Sequence, residues 1–114
     1  FLHHISGVLN CQHETGAWHT VMNRPDTYLE MSATAAFAYA INRAVKTGFL
    51  DAAFQDNKDF AMKSLRDDID ENGNVLHGSI GTCVMDSYKD YNAVGFGYSY
   101  FTQGLALMAL SEDE

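Results

Sequence analysis

The sequence predicts an all-α fold of two helical hairpins whose helices alternate between an outer and an inner layer. Apolar residues recur every three to four positions in four segments, which is the period of an α-helix. The first and third segments carry a single apolar stripe, whereas the second and fourth are apolar on nearly every side. A four-helix bundle would give each helix one stripe, so this alternation indicates two layers.

The composition limits the kinds of partner that this chain can bind. Its 114 residues include 46% hydrophobic residues, enough for one packed domain, and its formal net charge is −8. Nucleic acids and anionic membranes both attract basic surfaces, so we expect neither as a partner. Residues 91–111 carry no formal charge, but their polar side chains and glycines favour a helix buried in protein over a membrane span.

The first two helices are predicted at residues 2–12 and 29–46. The first places Leu2, Ile5 and Val8 on one face, and Gly16 suits the exit of the chain. The second begins near Glu30, whose carboxylate suits the positive end of the helix dipole. No charged residue follows until Arg43, so we expect this inner helix to be covered on nearly all sides.

The other two helices are predicted at residues 53–69 and 93–110. The former has an apolar stripe and a charged face, as expected of an outer helix. The latter is again apolar on all sides and is therefore predicted to be an inner helix. Asp90 and Asn92 precede it, and both are suitable N-cap residues.

The two long connections, residues 14–28 and 70–92, both lead from an outer to an inner helix. They therefore lie at the same end of the fold, beside the positive ends of the inner helices, where a carboxylate ligand would be favoured. Gly16 and Gly73 occupy similar motifs and indicate a repeat of 57 residues. Within the second connection, the string NVLHGS predicts a short β-hairpin. Two hairpins leave apolar surface uncovered, so we expect further hairpins in a longer chain or in another copy.

Two segments contain residue types that bind metals, but each has a simpler interpretation. Asp68, Asp70 and Asn72 fit a calcium loop, but Ser79 stands where the bidentate Glu belongs, so a turn explains them better. The spacing of the histidines and cysteine at residues 3–13 matches no standard zinc site. No Walker loop, dinucleotide fingerprint or nucleophile elbow occurs, and we therefore predict no cofactor and no metal.

Two strings resemble a known family of glycoside hydrolases, the unsaturated rhamnogalacturonyl hydrolases and their relatives. GAWHTVMNRPDTYLEMSATAAFAYAI resembles the family's Gly-x-Trp, its Pro-Asp turn and its Tyr-Leu-Glu-x-Ser-x-Thr-Ala sequence, which leads into an alanine-rich helix. DENGNV followed by GTCVMDSYKDYNAVG resembles the family's later loop and last inner helix. The resemblance follows one continuous order and spans nearly the whole chain.

This resemblance implies a partial (α/α) six-hairpin barrel, with residues 1–114 forming its C-terminal part. It also implies a distinctive reaction on lyase-generated oligosaccharides. The family hydrates the C4–C5 double bond of an unsaturated uronic acid; an aspartic acid protonates the vinyl ether carbon and helps to activate water. The resulting hemiketal opens and the sugar is released.

The family's proton donor lies on an earlier inner helix, so the resemblance implies that this chain holds no catalytic residue and is inactive by itself. The chain would instead contribute substrate-binding residues at the barrel mouth. Five of them have a structural alternative: Trp18 could fill the core, His19 could be a structural or solvated histidine, Glu30 could cap a helix, Arg24 could brace a loop, and Asn92 could be an N-cap. The candidates are Trp18, His19, Arg24, Glu30, Ser32, Asp86, Tyr91 and Asn92.

Three hypotheses about function therefore remain open from the sequence. The chain could be a segment of an unsaturated uronyl hydrolase, whose substrate is an oligosaccharide bearing an unsaturated uronic acid. It could also be a non-catalytic carbohydrate-binding module. As a third possibility, it could be an assembly subunit that covers its inner helices with the remainder of a barrel or with another copy of the chain.

Overall fold

A computed structural model describes residues 1–113 and shows a mostly helical fold with one small antiparallel sheet. A single turn of 3-10 helix, Ala52–Phe54, leads into the third helix. The elements in chain order are α1 (Leu2–Asn10), β1 (Trp18–His19), β2 (Leu29–Glu30), α2 (Met31–Lys46), α3 (Gln55–Asp67), α4 (Tyr88–Asn92) and α5 (Tyr100–Glu112).

Helix α2 lies at the centre of the molecule and packs against both α3 and α5. Only Arg43 and Lys46, near its C-terminal end, are exposed along its length. Helix α3, in contrast, buries one stripe that includes Ala61 and Leu65 and exposes its charged side chains, except for that of Lys58, which is buried. This contrast is the one predicted between an inner and an outer helix, and the chain has a partial α/α fold.

The fourth predicted helix is wrong at its N-terminal end. It begins at Tyr100, not at residue 93, because residues 93–99 leave the helical conformation, and Gly95 and Gly97 are both poor helix formers. Its N-cap is Ser99, whose hydroxyl accepts a hydrogen bond from the amide of Thr102 at 3.4 Å. Asp90 and Asn92 are therefore not its N-caps; they belong to the separate short helix α4, which a Ser87–Asp90 capping box begins.

The hairpin predicted around NVLHGS is present only in part. An antiparallel bridge joins Ile69 to Val75, at the start of this string, but the end of the string pairs with a distant segment. Residues 78–80 pair with residues 95–97: the amide of Gly97 donates to the carbonyl of Gly78 at 3.2 Å, and Ile80 donates to Gly95 at 3.0 Å. The partner strand comes from the segment that was predicted to be helical, so a local pattern could not reveal it. The sheet of Trp18 opposite Glu30 was not predicted either.

The predicted 57-residue repeat appears as two turns with the same hydrogen bonds. Gly16 and Gly73 both have positive φ, 97° and 84°. The amide of His13 donates to the carbonyl of Ala17 at 2.9 Å, as Asp70 donates to Asn74 at 3.0 Å. The repeat continues into the inner helices, since Trp18 donates to the Thr34 side chain at 3.1 Å and Val75 to that of Gln103 at 2.7 Å.

The C-terminal end of α5 is held by the two neighbouring helices. The amide group of Asn42 on α2 donates to the carbonyl of Glu112 at 2.7 Å. Just beyond, the Asp113 carboxylate accepts from Lys58 at 2.7 Å and from Arg66 at 2.5 Å, both on α3. Because the C-terminal ends of α2 and α5 meet here, the two inner helices run parallel.

Helix α5 is less covered than the sequence predicts for an inner helix. Tyr100, Phe101 and Leu107 are 85%, 71% and 69% exposed, because the elements that pack on α5 cover only one side of it. None of the helices in residues 1–113 combines the length and the apolar character that crossing a membrane requires.

Candidate functional site

The N-terminal ends of both inner helices form one end of the molecule, which we call the mouth. The two long loops, residues 13–30 and 68–99, meet there. The second loop is bonded to the start of α2, since the amide of Met31 donates to the carbonyl of His77 at 3.0 Å. Helix N-termini favour anions, so the mouth is the expected place for a ligand that carries a carboxylate.

Glu30 and Ser32 lie together at the start of α2. The Glu30 carboxylate is only 4% exposed and accepts hydrogen bonds from the amide of Ala33 at 2.7 Å and from the Ser32 hydroxyl at 2.8 and 2.9 Å. It also accepts from the amide of Ser79 at 2.8 Å, in the other loop. Glu30 is therefore an N-cap that ties the two mouth loops together, and both of its oxygens are already engaged.

Trp18 lies entirely inside the core, with 0% of its surface exposed. Its indole Nε1 donates to the carbonyl of Val8 on α1 at 2.7 Å, and its ring meets that of Phe37 on α2 edge to face at 5.0 Å. Neither face of the ring is open in this chain, which favours the core-filling role over stacking on a sugar.

His19 holds the first mouth loop in its folded shape. Its Nδ1 lies 2.6 Å from the carbonyl of Thr27, which can only accept, so Nδ1 carries the proton. The ring is 7% exposed, and its Nε2 has no hydrogen-bond partner among residues 1–113. The residue borders a groove of about 410 Å³ that also includes Cys11 and His13.

Arg24 connects the two mouth loops from the outside. Its guanidinium donates twice to Asp26, from Nε at 3.0 Å and from Nη2 at 2.9 Å, and lies 3.7 Å from the centre of the Tyr88 ring. The hydrogen bond from Arg24 lowers the pKa of the Asp26 carboxyl. This arrangement braces the loops, and the Arg24 side chain, 40% exposed, remains accessible at their surface.

The three candidates from the second mouth loop do not form one cluster. The Asn92 side-chain oxygen accepts from the amide of Tyr28 at 2.9 Å and so joins the loops. The Tyr91 hydroxyl accepts from the amide of Met85 at 3.1 Å, within its own loop. Asp86 is exposed in the segment that precedes α4.

An aromatic cluster at the mouth was missed by sequence reasoning. The ring of Phe96 meets Tyr28 at 4.7 Å and His77 at 4.9 Å, both edge to face, and the Tyr28 hydroxyl lies 2.7 Å from that of Ser79. One signal could have revealed it: Phe96, Tyr98 and Tyr100 alternate with small residues at a period of two. That period is typical of an extended strand, not of a helix.

The acidic residues of the calcium-like string serve local structure. Asp70 accepts from the amides of Asn72 and Asn74, both at 2.9 Å, and the hydrogen bond from Asn74 is the main reason that its pKa is lowered. Asp68 is paired with His77. Within the part of the chain that the structure describes, no three His, Cys, Asp or Glu side chains converge as a metal site requires.

Comparison with known proteins gives a consistent result along the whole chain. The family model described as Glycosyl Hydrolase Family 88 matches residues 1–114. The unsaturated rhamnogalacturonyl hydrolase YesR of Bacillus subtilis (strain 168) is 33% identical over 109 residues. That match covers 95% of this chain and 30% of the relative, so the chain spans less than a third of the relative's length.

Solved structures show the same fold with the same partial coverage. A possible member of the GH105 family from Salmonella enterica serovar Paratyphi A superposes with a TM-score of 0.92 at 31% identity, covering 95% of this chain and 29% of that one. A possible GH105 member from Klebsiella pneumoniae gives a TM-score of 0.91 at 30% identity, covering 95% and 28% respectively.

Proposed function

Because the chain belongs to glycosyl hydrolase family 88, we propose that it forms the C-terminal two hairpins of a six-hairpin barrel that hydrolyses unsaturated uronyl oligosaccharides. The observation that carries this proposal is the match of the family along all 114 residues, together with the similarity to a protein named as an unsaturated rhamnogalacturonyl hydrolase. The paired loops at the inner-helix N-termini support it, since they form a mouth suited to a carboxylate.

The proposed reaction adds water across the C4–C5 double bond of the terminal unsaturated uronic acid. A proton is added to C4 and the water oxygen to C5; the hemiketal that results then opens and the sugar is released. We place the proton donor in the hairpins that this chain does not contain. The chain's own contribution is to bind and orient the substrate at the mouth and not to transfer the proton.

The eight candidate residues divide into two proposed roles. Trp18, His19 and Glu30 are buried and bonded to the scaffold, so they would position the loops without touching the sugar. Side chains at the mouth surface would meet the substrate, and Arg24 carries the charge that a uronate carboxylate needs. The proposed contact residues are Arg24, Ser32, Asp86, Tyr91 and Asn92.

The test is an assay of the double bond itself. A longer protein that joins these residues to the remaining hairpins should remove the ultraviolet absorbance of an unsaturated disaccharide made by a polysaccharide lyase. The 114-residue chain alone should leave that absorbance unchanged. A saturated disaccharide serves as the control for non-specific cleavage. Turnover by the short chain, or none by a folded longer protein on unsaturated rhamnogalacturonyl and glucuronyl substrates, would refute the proposal.

A further inference from the structure

Three aromatic side chains from separate segments meet between the two mouth loops. The ring of Phe96 lies 4.7 Å from that of Tyr28 and 4.9 Å from that of His77, between centroids. Phe96 is 42% exposed, and the His77 side chain is 51% exposed. We call these three side chains the mouth aromatic cluster. Both loops that build it belong to this chain, whereas the remaining hairpins of a longer chain would cover the open faces of α2 and α5.

Hydrogen bonds hold the cluster in place. The Tyr28 hydroxyl lies 2.7 Å from that of Ser79, and the Tyr28 amide donates to Oδ1 of Asn92 at 2.9 Å. Phe96 lies opposite Ser79 in an antiparallel bridge, so its backbone is held as well. The cluster is therefore preorganised, and a ligand that binds it does not have to order these side chains.

Asp68 sets the orientation of the His77 ring. The Asp68 side chain is 11% exposed, and its carboxylate accepts from the His77 amide at 2.9 Å and is paired with Nδ1 of the same residue. Because an ionised carboxylate only accepts, Nδ1 carries a proton, and Nε2 of the neutral ring is an acceptor. This Nε2 has no hydrogen-bond partner within residues 1–113. An unpaired acceptor on a half-exposed ring thus lies beside Phe96.

The cluster adjoins the place where the uronate carboxylate is expected. The carbonyl of His77 accepts from the amide of Met31 at 3.0 Å, and Met31 is the first residue of α2. The His77 backbone therefore lies at the positive end of this inner helix, which favours an anion. For a uronate bound there, the sugar linked to it is the next part of the substrate to meet the cluster.

The chemistry of the cluster fits an uncharged sugar. The C–H face of a pyranose packs against an aromatic ring, while its hydroxyls need a few well-placed polar groups. The Asp68 carboxylate beside His77 disfavours a second anionic sugar, since like charges repel. We propose that the mouth aromatic cluster binds the neutral sugar to which the unsaturated uronate is attached. Phe96 packs against its ring, and Nε2 of His77 accepts from one of its hydroxyls. This inference rests on the proposed function, because it takes that substrate as given.

Kinetics with two substrates test this subsite in the longer protein that contains the remaining hairpins. One substrate is a disaccharide of an unsaturated uronate and a neutral sugar. The other is the methyl glycoside of the same uronate, which lacks the second sugar. Phe96→Ala and His77→Ala should each raise KM for the disaccharide about tenfold with little change in kcat, because they remove binding and not chemistry. Both variants should match the wild type on the methyl glycoside.

Two further variants separate the subsite from general damage to the fold. Phe96→Tyr keeps the ring and should keep the wild-type KM. Phe60→Ala removes a 55% exposed ring on the outer helix α3 and should leave the kinetics on both substrates unchanged. An unchanged KM of both alanine variants for the disaccharide, an equal loss on both substrates, or a Phe96→Tyr protein as weak as Phe96→Ala would overturn the inference. Turnover of neither substrate by the folded wild-type protein would refute the proposed reaction itself, and the subsite with it.

Discussion

Glu30 shows how one buried carboxylate fixes the geometry of the mouth. Its oxygens accept from the Ser32 hydroxyl and from the amides of Ala33 and Ser79, residues that belong to an inner helix and to the second mouth loop. The donors and the positive helix end together compensate for taking the charge out of water. Glu30 is therefore one of the side chains that fix the relative position of the two loops, together with Tyr28, whose hydroxyl lies 2.7 Å from that of Ser79.

Replacing Glu30 should destabilise the fold more than its position near the surface suggests. Glu30→Ala removes the N-cap and leaves the half-buried amide of Ser79 without its acceptor, for an expected loss of about 2 kcal/mol in the free energy of unfolding. Glu30→Gln keeps one oxygen acceptor and should lose less. Urea denaturation measures both, with Glu71→Ala at an exposed position as the control. Equal stability of the Ala variant and wild type would contradict the structural role.

Trp18 and Arg24 show where the local sequence no longer predicts the role of a side chain. Trp18 is compatible with sugar stacking or with core packing, and only its bond to the carbonyl of Val8 and its contact with Phe37 favour the second. Arg24 was a candidate from charge alone, whereas its partner Tyr88 lies 64 positions away and has no local signal. Side-chain roles at the mouth depend on such distant pairs.

At the scale of elements, the two repeat turns differ in what surrounds them. Gly16 and Gly73 share the same positive φ region, which L-residues with a side chain rarely adopt. A Cβ on Gly16 would lie 2.1 Å from the carbonyl oxygen of Phe60, whereas one on Gly73 would meet no atom within 4 Å. The first turn is therefore closely packed on α3, and the second is open.

This difference makes the two glycines a matched pair of substitutions. Gly73→Ala should cost about 1 kcal/mol, the strain of a left-handed conformation alone. Gly16→Ala adds a backbone clash that no rotamer can relieve, so we expect a loss of about 3 kcal/mol or more. Thermal and urea unfolding of the two variants provide the comparison. Similar losses at both sites would show that strain in φ, and not packing on Phe60, dominates.

A helix could be predicted from the sequence where its own apolar pattern determines its limits. The central helix was predicted because it carries no charge between Glu30 and Arg43, and burial in the structure confirms it. The start of α5 was misplaced because apolar content continues through residues 93–99, where glycines and pairing with residues 78–80 override it. That pairing is tertiary and leaves no periodic signal.

For the whole molecule, the ion cluster around Asp113 joins the end of the chain to its outer helix. Burial alone would raise the pKa of Asp113, but the hydrogen bonds from Lys58 and Arg66 outweigh it, and the pKa is lowered. Burial likewise would lower the pKa of Lys58, yet Asp113 and Asp59 together raise it. The charged form of each group is thus favoured by folding.

The stability of the whole chain should therefore depend on pH at both extremes. The Asp113 contribution is complete above the carboxyl's unfolded pKa and is lost as pH falls through the lowered folded value. The Lys58 contribution is complete below its unfolded pKa and is lost as pH rises through the raised folded value. Asp113→Asn should cost about 1–3 kcal/mol at neutral pH, less at low pH; Asp56→Asn is the control. A constant difference across the acid range would contradict this linkage.

The unequal lengths of the two mouth loops have a consequence for how such a mouth can diversify. The distance in sequence from Gly16 to the N-cap Glu30 is 14 residues, and that from Gly73 to the N-cap Ser99 is 26. In both loops a main-chain amide nevertheless donates a hydrogen bond to the side chain of the fourth residue after the N-cap, which is Thr34 in α2 and Gln103 in α5. The surplus lies beyond this hydrogen bond, around residues 81–92. A change of length there would alter the contacts of Tyr88 and Asn92 with the first loop, but not the hydrogen bonds that hold each turn to its inner helix. Insertions and deletions in this segment could therefore change which ligand the mouth binds while the two inner helices keep their positions.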